Sequence, residues 1–156
     1  MNNKKKTWGL VIVFMLIALT IGFIWNNSIP NIATSAGISN GFLEFFRPVL
    51  KFLLPEKLLN SNGIRKTAHF VEFFLLGAEF AALLLILRAR SLKNALLLLG
   101  AGLAVACVDE TIQIFAFRGS SVKDVWLDTC GALCGIVAVL LIAFIVQKIK
   151  EKKKQK

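Results

Sequence analysis

At 156 residues with 56% hydrophobic side chains and a mean hydropathy of +0.70, the chain carries more apolar surface than a soluble domain of this size can bury, which points to a helical bundle in lipid. The net charge of +10 does not point to nucleic acid: the positive residues sit at the two ends and in one short loop, and no basic face alternates with stacking aromatics. Cys107, Cys130 and Cys134 fall inside apolar runs, where small packing residues are expected rather than a disulfide or a metal set.

Residues 1–6 form a short basic head. The uncharged run from Thr7 to Trp25 has 19 residues, enough to span about 28 Å as a helix. Trp8 and Trp25 bracket it, as indoles settling at two interfaces do. The apolar region is long for a cleaved signal peptide, so a retained first span is expected.

Residues 26–67 form the longest non-spanning stretch. Within it, residues 40–54 read as an amphipathic helix lying on the membrane surface. Ser39 or Asn40 can cap it, while Glu44, Arg47 and Lys51 share one face. Phe42, Phe45, Phe46, Val49 and Phe52 cover much of the rest. Pro48 is expected to bend or break this helix and Pro55 to end it. Ser61, Asn62 and Gly63 read as a turn.

A second span runs from Thr67 to Leu87. Its His69, Glu72 and Glu79 lie within about 80° of one another on a helix. Residues 88–94 make a loop with three basic residues and no acid. The third span, 95–117, carries Asp109, Glu110 and Gln113 within an arc of about 100°, and Gly102 and Ala106 continue that face for close helix approach. Residues 118–124 form a tight turn. The fourth span, 125–146, presents Asp124 and Asp128 and then Gly131 and Gly135, a small-residue seam. Residues 147–156 are a basic tail. The expected fold is therefore all-α: four transmembrane helices plus one outer interfacial helix, in a single domain over residues 1–156.

Head, loop 88–94 and tail alternate correctly with four spans if all three are cytoplasmic. Residues 26–67 and the turn at 118–124 then face outward. Counted inward from the outer ends at 1.5 Å per residue, Glu72, Asp109 and Asp128 come to lie roughly 6–13 Å deep, at one level on three helices. An Asp in hydrocarbon costs about 2.5–3.5 kcal/mol on the insertion scale, so several at one level imply shared partners or a task. The cluster read as a site comprises Lys66, His69, Glu72, Asp109, Glu110, Gln113, Arg118, Asp124 and Asp128. Hydrogen-bond glue between helices is the plainer explanation, worth about 0.6 kcal/mol per contact. Ser, Asn and Gln would serve that purpose at lower cost.

Lys66-Thr67-Ala68-His69-Phe70-Val71-Glu72-Phe73 resembles the KxxHFxEY block of the VanZ-like family. Asp109-Glu110 with Gln113, then Arg118, Asp124, Asp128 and Gly131, resembles that family's DExxQ…RxxxxxDxxxD/NxxG block. Phe73 stands where the family block has Tyr, which removes any phenolic role there, and Phe117 precedes Arg118 where Gly is common. Glu79 lies outside both blocks. The resemblance covers about residues 65–135 and implies a small multi-pass bacterial membrane protein. The family's founding member is associated with low-level resistance to the glycopeptide teicoplanin.

Three functions fit these residues. The first is resistance to an amphiphilic envelope-active compound, gripped at the outward polar cluster. The second is a membrane enzyme acting on a lipid-linked or cell-envelope substrate, with His69 as base beside Glu72 and Asp109 and Arg118 or Lys66 as an anion clamp. The third is a transporter, which with four spans would need oligomerisation and shows no inverted repeat. No cofactor motif is present. His69, Glu72, Asp109 and Glu110 include ligand types for a divalent cation, but no spacing is diagnostic, so no metal is expected.

Overall fold

The computed structural model describes residues 3–30, 32–53, 55–117, 119 and 121–154. Among them the chain forms five α-helices and one short 3-10 turn, with no strand. They are α1 (Asn3–Ser28), α2 (Ile32–Leu53), the turn Glu56–Leu58, α3 (Ser61–Leu87), α4 (Leu92–Phe115) and α5 (Val122–Lys154). Of these, α1, α3, α4 and α5 are long and apolar enough to cross a membrane. The all-α membrane architecture read from hydropathy is the architecture found.

Helix α3 is the most enclosed of the four and packs most extensively on α5. Small residues permit this. A Cβ at Gly77 would stand 2.0 Å from the Ala132 carbonyl oxygen, and one at Gly135 would stand 2.0 Å from that of Phe74. The two backbones therefore touch directly, which is how helices associate where lipid supplies no hydrophobic drive. Around this seam Ile24, Phe73, Leu76, Phe80, Ala106 and Ile136 form the core. Phe73 is completely buried, so the missing phenol is replaced by core packing.

Two contacts fix the ends of the bundle. Gly9 on α1 lies against Ile86 at the far end of α3, and Arg90 donates to Gln147 Oε1 at 3.3 Å. The basic head, the 88–94 loop and the tail thus collect at one end, and the polar residues of α3, α4 and α5 meet at the other.

Several boundaries differ from the expectation. Helix α3 begins at Ser61, so Ser61, Asn62 and Gly63 are its first turn and not a separate bend. Asn60 caps it, its side chain accepting from the Gly63 amide at 2.9 Å. Gly63 is needed there because a Cβ would meet the Leu58 carbonyl oxygen at 2.3 Å. Helix α2 starts at Ile32 rather than near residue 40, so Ser39 and Asn40 lie inside it, and it runs through Pro48 without ending. Leu43 and Leu50 hold it against Leu59 and Ile64, leaving Phe45 and Phe52 exposed. The spans are longer than the apolar runs: α1 takes in the basic head, and the tail continues α5 to Lys154. Conversely, α4 stops at Phe115, and Phe117 has a left-handed φ of 53°.

Trp25 is partly buried against the core with its Nε1 enclosed, while Trp8 is exposed. The three cysteines are free and point outward, not into the packing.

Candidate functional site

Asn60 starts α3 early enough that Lys66, His69 and Glu72 occupy its second and third turns. Antiparallel packing brings alongside them the last turns of α4, with Asp109, Glu110 and Gln113, and the first turns of α5, with Asp124 and Asp128. Lys66, His69, Glu110, Gln113, Asp124 and Asp128 border one small space between the three helices, while Glu72 also reaches α1. Asp109 is completely buried and Asp128 is 1% exposed; His69, Glu110 and Gln113 are also buried.

His69 is central. Its Nδ1 lies 3.7 Å from Glu72 Oε2 and 3.8 Å from Asp109 Oδ2. Both separations exceed a hydrogen bond, yet they keep an imidazole within electrostatic reach of two carboxylates on different helices. Gln113 orients one of these, donating from Nε2 to Asp109 Oδ2 at 2.8 Å one helical turn away. Glu110 borders the same seam and accepts from the Ser121 amide at 2.8 Å, which ties the end of α4 to the start of α5. Lys66 forms an ion pair with Asp124 at the more exposed rim. Asp109 Oδ1 and Asp128 Oδ1 are buried without a hydrogen-bond partner among the described residues.

His69, Glu72, Asp109, Gln113 and Asp128 therefore converge, with Lys66, Asp124 and Glu110 on the margin. Arg118 lies outside the described residues. Glu79 belongs elsewhere: it accepts from Thr20 Oγ1 at 2.8 Å, two turns further along α3.

Two participants were missed in the sequence. Asn27 Nδ2 donates to Glu72 Oε1 at 2.8 Å, and the wholly buried Ser28 lies 3.5 Å from Gln113 Nε2. The signal was Asn26-Asn27-Ser28 directly after Trp25, three polar residues that extend α1 rather than begin a loop.

Two spaces adjoin the cluster, and His69 lines both. A cavity of about 560 Å³ lies between α1, α2 and α3. Phe23, Ile38, Phe42, Leu50 and Leu75 make its walls apolar, and Asn27, Arg65, His69 and Glu72 make one part polar. The second is a void of about 10 Å³ between α3, α4 and α5, bounded by His69, Glu110, Gln113 and Asp128 among others. Chemically, the larger space suits an amphiphile with a polar group, and the smaller one a single water or ion. His69, Asp109 and Asp128 each offer a ligand atom, all within 4.8 Å of one another.

No curated protein and no solved structure matches the chain. A model of the VanZ/LLP1 family matches residues 8–144, from the first turns of α1 to well within α5. With that match over most of its length and four helices able to cross a bilayer, the chain is a multi-pass membrane protein that belongs to the VanZ/LLP1 family.

Proposed function

We propose that this protein contributes to resistance against teicoplanin-type glycopeptides or similar envelope-active amphiphiles in the bacterial cell membrane. The binding place is the polar cluster and the cavity that adjoins it. Both termini and the 88–94 loop lie in the cytoplasm, as their shared basic charge favours, so the cluster opens to the outer leaflet. Helix α2 lies along that surface with Phe45 and Phe52 in the interface.

The observation that carries this reading is the 560 Å³ cavity with apolar walls and a polar part at Asn27, Arg65, His69 and Glu72. A lipid tail fits the walls, and the charged and amide groups suit a polar substituent. The lining comes from α1, α2 and α3, so the ligand sits one helix away from the α3–α4–α5 seam where the polar residues are densest.

Survival of a susceptible host tests this, with a lipid-tailed glycopeptide, a tailless one, and protein level measured alongside. Protection should be specific to the tailed compound. Leu75→Trp, which fills the cavity, should abolish it. Glu72→Gln, Asp109→Asn and Arg118→Lys should lower it while leaving the protein level nearly intact. Full protection by all four variants would sink the reading.

A second reading is favoured by His69 standing between two carboxylates. In it the protein is an enzyme on a lipid-linked envelope substrate, with His69 as base and Glu72 and Asp109 setting its orientation. Turnover of such a lipid by purified protein, lost in His69→Gln, separates it from simple binding.

A further inference from the structure

We propose that His69, Asp109 and Asp128 form a binding site for one divalent transition-metal cation, of the zinc or manganese class, at the α3–α4–α5 seam. This goes beyond the resistance reading and does not depend on it.

Charge and satisfaction make the first argument. Asp128 is 1% exposed, and no hydrogen bond reaches its Oδ1 from the described residues; Asp109 Oδ1 is in the same state. Buried carboxylate oxygens without donors are costly. Among the described residues, several donors of the cluster are engaged elsewhere. Lys66 is paired with Asp124, the Ser121 amide with Glu110, and the Gln113 amide with the other oxygen of Asp109. These bonds leave both Oδ1 atoms unsatisfied among the described residues, and a cation shared between them would satisfy both.

Geometry makes the second. Ligand atoms sharing an ion with bonds of about 2.1 Å stand about 3.0–3.4 Å apart around it. The three residues offer ligand atoms within 4.8 Å of one another, and His69 Nδ1 is 3.8 Å from Asp109 Oδ2. An ion requires a contraction of roughly an ångström, within the reach of side-chain rotation. The void of about 10 Å³ that His69 and Asp128 border is the size of one ion or water. Glu72 Oε2, 3.7 Å from the same imidazole nitrogen, can serve as a further ligand.

Ligand type selects the metal. One imidazole with carboxylates suits zinc, manganese or iron(II), whereas calcium prefers six to eight oxygens and magnesium keeps most of its waters. Three protein ligands leave a position open for water. Because His69 also lines the larger cavity, the ion would lie directly behind it.

The test uses the full chain in detergent, purified through a tag without histidines and stripped with a chelator. Cys107→Ser, Cys130→Ser and Cys134→Ser are introduced so that no thiol competes. Calorimetric titration with Zn²⁺ and separately with Mn²⁺ should give one ion per chain for at least one of them. Asp109→Asn, Asp128→Asn and His69→Gln should each weaken it about tenfold or more. Glu79→Gln, whose carboxylate is held by Thr20 two turns further along α3, should leave it in place. Bound metal should also raise the unfolding temperature of the parent chain more than that of the three ligand variants at the same metal concentration. If a variant fails to fold, X-ray absorption at the metal edge of the parent protein reports the ligands, and nitrogen plus oxygen is expected. No stoichiometric binding of either ion overturns the site. So does unchanged affinity in Asp109→Asn and Asp128→Asn.

Discussion

Asn27 on α1 donates a 2.8 Å hydrogen bond to Glu72 Oε1 on α3, and so joins the first span to the polar cluster. The bond also holds α1 against the cavity that Asn27 and Glu72 line together. Asn27→Ala should cost about 0.6 kcal/mol and at most about 1.7 kcal/mol, the range for such bonds between membrane helices. Asn27→Asp should cost more, because it sets a second carboxylate against Glu72. Thermal unfolding in detergent measures both. Equal values for the two variants would show that the amide is not acting as the donor.

The α3–α5 seam depends on the absence of side chains. Gly77→Leu places atoms where the Ala132 carbonyl already stands, so the helices must separate, at about 1–3 kcal/mol or more. A chain with this change should be lost from the monodisperse peak in size-exclusion chromatography. Gly100→Ala, where nothing lies within 4 Å of the added methyl, should elute like the parent.

Lys66 and Asp124 pair at the rim of the cluster, both partly open. Such a pair contributes about 0.2–1 kcal/mol, so Asp124→Asn should shift the unfolding temperature little. Lys66→Glu should be worse, since it adds an acid to a margin that already holds Asp124 and Glu110. Combining Lys66→Glu with Asp124→Lys should recover most of the loss. A double variant no better than Lys66→Glu alone would mean that the two residues do not interact energetically.

Orientation is open to labelling. Asn62 is exposed in the first turn of α3, at the polar end of the bundle. With the three native cysteines replaced, Asn62→Cys should react with an impermeant maleimide added to intact cells. Ser91→Cys, at the opposite end, should react only after the membrane is opened. The reverse pattern would invert the topology and place the cluster in the inner leaflet.

What the sequence determined by itself was the class of the fold and the level of the acids. Hydropathy is local and nearly additive along a helix, so four spans could be counted. A rise of 1.5 Å per residue then sets Glu72, Asp109 and Asp128 at similar depth. The seam at Gly131 and Gly135 was legible for the same reason, as a short periodic pattern. Only the tertiary structure decided where the helices begin and which groups meet. The start of α3 depends on the Asn60 side chain reaching the Gly63 amide and on Gly63 fitting against Leu58. That moved Ser61–Gly63 from a turn into a helix. Glu79 shares a helical face with His69 and Glu72, yet it goes to Thr20 on α1 while they go to the cluster. Helical angle gives direction but not which neighbour stands at that height. Asn27 and Ser28 were hidden because a polar triplet after an apolar run looks like a loop. They join the site only because α1 continues and packs beside α3 and α4, bringing residues distant in sequence within one hydrogen bond.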